Sequence, residues 1–349
     1  MRPQVAAKIF APMKSSNHLR DNAPQVRRLL LAWYDVHSRD LPWRKDRDPY
    51  RVWLSEIMLQ QTRVAAVIEH YHEFLRRFPT VQKLAAARSS SVLAAWSGLG
   101  YYRRARMMHA AAKLIVRELG GIFPNTASAF RVLPGVGRYT SAAIASIAFD
   151  EPIAVVDGNV ERVLQRFSGT RLEPEKIWKA AEDLLDRQRP GDFNQAMMEL
   201  GATVCTPRTP SCLTCPVVDA CATRGELPSL GKISKQKKRE IHCALDYQDG
   251  AVYLVQRPPD TPLMAGMWEL PQLEATEKNK PAADFTLRHS ITVTDYTVRV
   301  RRSPAPANIP GQRIPLQKLP SYPLTGLARK ILRKADLIAG GSISIPRLP

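Results

Sequence analysis

The sequence predicts a mainly α N-terminal domain that is followed by a smaller α+β domain. Apolar residues recur at helical spacing as far as about residue 200, and no convincing alternating strand interrupts them. From Arg224 to Arg239 the chain is polar, basic and aperiodic, as is typical of a linker. Beyond it come short alternating runs and a last helical stretch, Leu324 to Leu337. The 349 residues are enough to build two cores.

The formal net charge of +19 indicates a polyanionic partner, with nucleic acid as the first choice. An anionic membrane surface is the alternative, but no apolar run approaches the length that spans a bilayer. Met1 to Arg20 is basic and lacks acidic residues, and Lys8 and Pro12 interrupt any signal-peptide core. We interpret residues 1–24 as a disordered basic arm, with a transit peptide as the alternative, and we expect an intracellular protein.

The first informative helix carries a carboxyl group among apolar residues. Asp48 is a candidate N-cap, and helical periodicity runs from Tyr50 to Gln61. Glu56 lies one turn from Val52 and Trp53 on the same face. Because burial disfavours the charged form, we expect a raised pKa and a general acid at this position. The alternative is a structural glutamate that a neighbouring arginine neutralises.

Two further stretches suit bases and phosphates. Gln60 to Arg63 extends the helix of Glu56 with polar side chains. Gly98 to Arg106 places the pair Tyr101 and Tyr102 before three arginines, so the aromatic rings can wedge into a base stack while the arginines hold the backbone. The alternative is an aromatic helix start with a solvated basic face. The helix that follows is predicted to end at Gly120 and Gly121.

The stretch from Leu133 to Asn159 predicts a turn between two helices with an anion site. Gly135 and Gly137 are separated by one residue, so the backbone can turn sharply and point its N–H groups outward at a helix start. An apolar run then leads to Asp157 at the start of another helix. The alternative is a plain helix–helix connection in which Asp157 or Asn159 is an ordinary N-cap.

Four cysteines are spaced C-x6-C-x2-C-x5-C: Cys205, Cys212, Cys215 and Cys221. Four thiolates in a short loop predict a metal centre, and the spacing leaves tetrahedral zinc and an iron–sulfur cluster open. Disulfides are the alternative, but they are typical of small secreted chains. Cys243 lies beyond the linker, and we interpret it as a core residue.

In the second domain, the runs 241–247 and 251–255 predict a strand pair around a turn at 248–250. The alternation from Ile291 to Val300 predicts a further strand.

These motifs together resemble the endonuclease III superfamily of helix-hairpin-helix base-excision DNA glycosylases, and more closely its adenine-specific MutY branch. The resemblance is strong over about residues 25–225 and weak over 240–337. It rests on the cysteine array and on the stretches Leu41–Arg44, Trp53–Thr62, Gly98–Tyr102, Leu133–Arg138, Val156–Val160 and Phe193–Met198. It implies a glycosylase domain at 25–225 with a [4Fe–4S] cluster on the four cysteines, a linker at 226–239 and a tail at 338–349.

The resemblance also implies roles for individual residues. Glu56 matches the acid that protonates adenine at N7, and Asp157 matches the carboxylate that stabilises or captures the sugar cation. Asn159 matches a residue that orients the site. Tyr139 stands where the bifunctional enzymes carry a lysine, so no Schiff base and no lyase activity are expected. The remaining DNA contacts implied are Gln61 and Tyr101 beside 8-oxoguanine, and Gly135, Gly137 and Arg138 in the hairpin.

For residues 240–337 the resemblance is to a degenerate Nudix fold. Leu263 to Pro271 is similar to the lead-in of that family's pyrophosphatase helix, but the acidic run is replaced by Gln272 to Glu277. The domain is therefore expected to recognise 8-oxoguanine without metal-dependent hydrolysis. Its recognition loop, commonly Phe-Ser-His, corresponds here to Leu287-Arg288-His289-Ser290, in which His289 is retained.

The resemblance implies an adenine glycosylase that acts on double-stranded DNA with adenine opposite 8-oxoguanine or guanine. We expect a monomer without membrane association, at the nucleoid in a bacterial cytoplasm. The alternatives are an endonuclease III-like enzyme for oxidised pyrimidines, a catalytically silent DNA-binding protein, and a Nudix hydrolase with a helical appendage.

Overall fold

The computed structural model describes residues 18–225, 237–261, 263–274, 282–291 and 294–338. Most of the predicted basic arm (1–17), most of the linker (226–236), the segment 275–277 and nearly all of the tail (339–349) lie outside these residues. Residues 18–24 do not form the disordered arm that the sequence predicts. They build a short helix and the start of the next one, because Arg20 pairs with Asp183 and Ala23 is buried in the core.

The helices in the described part of the chain are α1 His18–Asp21, α2 Ala23–His37, α3 Pro49–Leu59, α4 Val64–Arg77, α5 Val81–Ala86, α6 Ser89–Ala95, α7 Arg103–Leu119, α8 Ala127–Phe130, α9 Arg138–Phe149, α10 Gly158–Ser168, α11 Pro174–Leu184, α12 Pro190–Thr203 and α13 Gly326–Lys334. The strands are β1 Lys237–Ala244, β2 Tyr247–Gln248, β3 Ala251–Gln256, β4 Trp268–Glu269, β5 Gln272–Leu273, β6 Phe285–Ile291, β7 Thr294–Arg301 and β8 Gln312–Pro315.

The chain divides into two compact units, each built from two separate stretches. The first unit combines Met1–Glu56 with Pro124–Leu230. Its described part is helical, and α2, α10, α11 and α12 share one core around Leu30, Leu164 and Phe193. These residues fall on the apolar stripes of their helices, so burying them accounts for the packing.

The second unit combines Ile57–Phe123 with Gly231–Pro349. The helices α4 to α7 therefore group with the C-terminal stretch, and the predicted boundary at 225 does not coincide with the division into units. The aromatic side chains of Phe74 and Trp96 meet edge to face in the helical part. In the C-terminal part, Val298 and Val300 of β7 and Ile331 of α13 belong to one buried core.

The C-terminal stretch has the predicted α+β composition. One sheet has the order β5-β1-β7-β6, in which β1 and β7 are parallel. In the other sheet, β3 pairs with β2, β4 and β8. The predicted pairing of 241–247 with 251–255 is thus wrong for β1 and correct for the short β2. The chain changes sheet at Asp246, whose buried carboxylate binds Arg313 and the N–H of Ala305.

The predicted strand 291–300 is two strands. Ile291 ends β6 and is paired with Thr294, the first residue of β7, so the two strands are antiparallel neighbours. Alternation in the sequence does not mark where one strand ends and the next begins, which explains why the pattern predicts a single strand. Leu287 to Ser290 therefore lies within β6, paired with β7, and does not form the predicted recognition loop.

The predicted helix Tyr50–Gln61 ends at Leu59, two residues earlier than expected. Gln61 has a positive φ of 55°. The Arg104 guanidinium donates to the carbonyls of Ile57, Met58 and Gln60, at 2.7, 3.0 and 2.6 Å. These bonds satisfy carbonyls at the helix end and so favour a stop there. In the described residues, no helix is both long enough and apolar enough to cross a bilayer.

Candidate active site

Glu56 lies on α3 and is 6% exposed. Burial, together with the nearby Asp157 charge, raises its pKa to about 7. A hydrogen bond from Tyr139 and the charge of Arg44 act in the opposite direction but do not outweigh burial. The prediction of a buried carboxyl group with a raised pKa is confirmed. The alternative, neutralisation by an arginine, is wrong, because the side-chain partner of Glu56 is the phenol of Tyr139.

Tyr139 lies in the first turn of α9 and faces Glu56. Its hydroxyl donates to Oε2 of Glu56 at 2.6 Å and lies 3.5 Å from Sδ of Met198. Burial, followed by the charges of Glu56 and Asp157, raises the pKa of Tyr139 well above its usual range. The phenol therefore stays a hydrogen-bond donor at neutral pH.

Asp157 is the N-cap of α10 and also faces this site. Its Oδ1 accepts from the N–H groups of Asn159 and Val160, at 2.9 and 2.7 Å. Its Oδ2 accepts from the side-chain amide of Asn159 at 2.8 Å. Three donors therefore fix the carboxylate in one orientation. Asp157 is therefore an N-cap, as the alternative interpretation of the sequence predicts. Its charge also raises the pKa values of Glu56 and Tyr139.

Arg162, which the sequence did not indicate as a site residue, binds the side chain of Asn159. Its Nη2 donates to Oδ1 of Asn159 at 2.9 Å and to the carbonyl of Gly201 at 2.7 Å. Its Nε donates to the carbonyl of Cys205 at 2.9 Å. Arg162 thus connects the pair Asp157–Asn159 to the first cysteine of the array.

A buried ion-pair cluster includes Arg44, the arginine whose charge lowers the pKa of Glu56. Glu199 of α12 is 1% exposed and accepts from Arg39 at 2.6 Å and from Arg44 at 2.9 Å. Burial alone would raise the pKa of Glu199, but the two guanidinium groups outweigh it and lower the pKa. Sequence reasoning missed Glu199, because its two partners lie more than 150 positions earlier in the chain.

We expect Glu199→Gln to destabilise the fold by about 3 kcal/mol, because it leaves the guanidinium of Arg44 buried without its counter-charge. Urea unfolding followed by circular dichroism measures the difference. Asp183→Asn is the matched control: it breaks the exposed pair with Arg20, which should cost under about 1 kcal/mol. Equal losses in the two variants would contradict the assignment of a buried cluster.

The pKa of Glu56 also predicts how stability depends on pH. Between pH 4.5 and about 7 the folded chain keeps a proton on Glu56 that the unfolded chain has released. Stability therefore falls as pH rises through this window, by about 3 kcal/mol in total for this group. Glu56→Gln lacks this loss, so its stability relative to wild type should increase by that amount between pH 4.5 and pH 8. Urea titrations at both pH values test this, and a difference that is constant with pH would refute it.

The hairpin preceding α9 has the predicted geometry. Gly135 has a φ of +77°, and Gly137 is the N-cap of α9 in an extended conformation. Both glycines are exposed, whereas Leu133 is buried. Arg138 is exposed but engaged: it donates to Glu175 at 2.9 Å and its guanidinium lies 3.9 Å from the ring centroid of Trp178. The N–H groups at the very start of a helix have no acceptor one turn earlier, which favours an anion there.

In the second unit, Gln61 and Tyr101 occupy two exposed loops with left-handed backbone. Their φ values are 55° and 48°, and Tyr101 is 48% exposed. Arg104 joins the loops: besides the carbonyls at the end of α3, it binds the carbonyl of Leu99 at 3.2 Å, and its guanidinium lies 5.4 Å from the ring centroid of Tyr101. The DNA contacts predicted for Gln61 and Tyr101 require exposed side chains, and both residues are exposed.

The roles predicted for the rest of this segment need correction. Tyr102 is buried and donates to the carbonyl of Leu324, so it cannot join Tyr101 as a wedge. Burial lowers the pKa of Arg104 to about 10, and its donors serve the protein's own carbonyls. Arg106 donates to the carbonyl of Ala265. Of the three arginines, Arg103 is the one left exposed.

The four cysteines of the array line one small cavity together with Arg166. Burial raises the pKa of Cys215 to about 11, and the other three thiols add to the rise, so the four sulfurs influence one another. The guanidinium of Arg166 donates to Sγ of Cys205 at 3.2 Å. Among the residues that the structure describes, no three His, Cys, Asp or Glu side chains are grouped as a site for a single metal ion. Cys243 is buried in the second unit, as predicted.

His289 lies on β6 and is half-buried. Burial and the charge of Lys330 lower its pKa. His289 faces the first turn of α13, where a Cβ at Gly326 would lie 3.8 Å from its ring.

Comparison with known proteins identifies the relatives of this chain. Residues 54–187 match the family described as the HhH-GPD superfamily of base excision DNA repair proteins. The adenine DNA glycosylase of Mus musculus is 43% identical, over 73% of this chain and 62% of that protein. The adenine DNA glycosylase of Schizosaccharomyces pombe is 32% identical, over 77% of this chain and 75% of that protein. The chain spans about three fifths of the length of the mammalian relatives.

A solved structure of a thermostable thymine-DNA glycosylase superposes on this chain with a TM-score of 0.56. The two sequences are 29% identical, and the match covers 60% of this chain and 99% of the other. The helical fold is thus common to glycosylases with different target bases.

Proposed function

The chain belongs to the adenine DNA glycosylases of the HhH-GPD superfamily, and we propose that it hydrolyses the bond between adenine and deoxyribose in double-stranded DNA. The proposed substrate is adenine opposite 8-oxoguanine or guanine, flipped out of the duplex. The observation that carries the proposal is the pair of carboxyl groups in one site, Glu56 with its pKa raised to about 7 and Asp157 held by three donors.

Glu56 is the proposed acid. A group whose pKa is about 7 is protonated in a large fraction of molecules at neutral pH and can still release its proton. Transfer of this proton to N7 of adenine converts the base into a better leaving group. Tyr139 holds the carboxyl group in place and, because its own pKa is high, does not compete as the acid.

Asp157 is the proposed stabiliser of the sugar. As the glycosidic bond breaks, positive charge develops on the deoxyribose, and a fixed carboxylate stabilises it or captures it covalently before water attacks. Asn159 and Arg162 keep Asp157 in orientation. Because the chain has Tyr139 and not a lysine in this place, no amine is available there for a Schiff base, and we propose a monofunctional glycosylase.

Several features support DNA as the partner. The hairpin at Gly135 and Gly137 suits a backbone phosphate, and the net charge of +19 attracts the duplex. Gln61 and Tyr101 are exposed, which suits insertion beside 8-oxoguanine. We further propose that the C-terminal α+β stretch is a degenerate Nudix-like domain that recognises 8-oxoguanine, and that the protein acts where the cell keeps its DNA.

The cysteine loop is proposed to hold a [4Fe–4S] cluster. The lining residues suit it, because the described part of the lining offers four sulfurs and no carboxylate or imidazole. A cluster spreads its thiolate ligands over several iron atoms, so its ligands need not converge on a single ion. When bound, it supplies a covalent link across the loop and a redox centre. Arg166 is placed to donate to the Cys205 sulfur.

The test uses one labelled duplex with adenine opposite 8-oxoguanine. Strand breakage only after hot alkali is expected, since a monofunctional glycosylase leaves an intact abasic strand. Breakage without alkali would indicate a lyase. No breakage on this duplex, together with activity on thymine glycol, would overturn the proposal in favour of an endonuclease III-like enzyme.

Gly201→Ala should slow adenine excision about tenfold or more, because a small displacement of a catalytic group has large effects on rate. A Cβ at Gly201 would lie 2.6 Å from Cβ of Asn159, which cannot move without shifting the start of α10 and Asp157. Single-turnover rates and duplex affinity are measured together, and affinity should be unchanged. Ala202→Ser, at the next and exposed position, is the control. A normal rate for Gly201→Ala would show that Asp157 tolerates the displacement.

A further inference from the structure

A cavity of about 1010 Å³ opens in the second unit between α4 and α13. It contains neither of the carboxyl groups of the active site. Its lining includes His70 on α4, Ser97 and Gly98 in the loop before α7, and Arg329 on α13. The mechanism proposed above makes no use of it.

Arg329 is the buried cation of this cavity. It is 9% exposed, and its Nε donates to Oγ of Ser97 at 2.6 Å. No described residue accepts from its two terminal nitrogens, and Arg329 is one of the residues that line the cavity. Burial lowers the pKa of Arg329, and Arg333 and Arg77 lower it further. A buried guanidinium with unused donors favours an anionic ligand.

The remaining charges of the cavity are also mainly positive. Lys330 donates to a main-chain carbonyl of β6 at 2.5 Å, so this contact leaves its charge uncompensated. Arg333 is exposed at the same edge. Glu73 is bound by Arg76 and by Arg77. The wall thus has an excess of cations over carboxylates, namely Arg76, Arg329, Lys330 and Arg333 against Glu69 and Glu73.

The first turn of α13 adds a second element of an anion site. Gly326, its first residue, lines the cavity, and the helix continues for nine residues. Oγ1 of Thr325 accepts from the N–H of Ala328 at 3.1 Å, and the remaining N–H groups at a helix N-terminus carry partial positive charge. A Cβ at Gly326 would meet nothing closer than His289 at 3.8 Å, so there is room for a ligand in front of this turn.

We propose that this cavity binds a backbone phosphate of the DNA strand that carries the oxidised guanine. The inference rests on the proposed function and specifies how the substrate is held. The location favours DNA over a free phosphate: Ser97 and Gly98 are at the base of the loop that presents Tyr101, and Ala66 lies in the first turn of the helix that follows Gln61. The cavity is thus lined by residues within about five positions along the chain of the two side chains proposed to enter the base stack.

Replacing single phosphates by neutral methylphosphonates tests the inference. Each position of the 8-oxoguanine strand is neutralised in turn, and duplex binding is measured by fluorescence anisotropy with Glu56→Gln, in which excision is expected to be about 10³-fold slower than in wild type. We expect about a tenfold loss of affinity at one or two positions, and no such loss once Arg329→Gln is added. The slope of log affinity against log salt should fall by about one in the Arg329 variant. A neutralisation profile that is identical with and without Arg329 would overturn the proposal.

Lys334→Gln is the matched control, because it removes an equal charge from α13 outside the cavity wall and should leave the profile unchanged. Lys330→Gln is the second variant if Arg329→Gln fails to fold. If Arg329 had only a structural role, Ser97→Ala should weaken duplex binding as Arg329→Gln does. The loss of affinity would then be the same whichever phosphate is neutralised.

Two further measurements distinguish a DNA phosphate from a free phosphate ligand. They also distinguish a failure of this inference from a failure of the proposed function. Calorimetric titration of wild type with ATP and with inorganic phosphate tests for a free ligand. ATP binding that requires Arg329, without coupling to any DNA phosphate, would overturn the assignment to the backbone. If wild type excises adenine but the neutralisation profile does not depend on Arg329, this inference alone is refuted. If the profile depends on Arg329 but wild type does not excise adenine, the proposed function is refuted and the DNA contact is supported.

Discussion

Replacing Glu56 with glutamine is expected to lower the single-turnover rate of adenine excision about 10³-fold, within the range that a general acid contributes. Glutamine keeps the shape of the side chain and can still accept the hydrogen bond from Tyr139, but it has no proton to transfer. In wild type the rate should decline above about pH 7, as the carboxyl group loses its proton. The variant's residual rate should show no such decline.

Glu161→Gln provides the control for this substitution, because Glu161 is exposed on α10. It should excise adenine at the wild-type rate. A Glu56→Gln variant with more than about a tenth of the wild-type rate would assign the proton transfer to another group, since one general acid accounts for 10²-fold or more.

Asp157→Asn is expected to reduce excision by about 10³-fold, as removal of a fixed charge from a developing cation does. Asparagine is as good an N-cap as aspartate, so α10 should keep its start and the melting temperature should change little. The loss should therefore appear in the chemical step and not in the affinity for the duplex. Single-turnover kinetics at saturating enzyme separate the two.

The same variant has an effect on Glu56 that a structural role for Asp157 would not produce. The charge of Asp157 raises the pKa of Glu56, so its removal should lower that pKa. Nuclear magnetic resonance of ¹³C-labelled glutamate can follow the titration directly. An unchanged Glu56 titration, or a normal excision rate, would remove Asp157 from the mechanism.

The parts of the site that the sequence predicts correctly are those determined by local pattern. Glu56 stands out because it interrupts an apolar stripe, and Asp157 because it follows an apolar run and precedes a helix. The hairpin is predicted by its two glycines, since few other residues adopt the backbone of Gly135. Each of these patterns lies within a window of about ten residues, which sequence periodicity can resolve.

The parts that it misses depend on partners far apart in the chain. Glu199 looks like any helical glutamate until Arg39 and Arg44 are placed around it. Arg104 belongs to a basic run that is typical of a DNA contact. In the folded chain, however, its guanidinium donates to the main-chain carbonyls at the end of α3. Strand partners are missed for the same reason: the alternation of β1 shows that it is a strand but not that β7 lies beside it.

The bonds of Arg104 have a consequence for how tightly the proposed substrate is bound. A left-handed backbone costs about 1–2 kcal/mol for a residue other than glycine, so a free loop would adopt it in about one molecule in ten or fewer. Two independent loops, those of Gln61 and Tyr101, would both have this conformation in about one molecule in a hundred. Because one guanidinium binds both loops, this cost is met during folding and does not weaken DNA binding. A glycosylase that acts as proposed would therefore contact each base pair with Gln61 and Tyr101 already in their left-handed conformation.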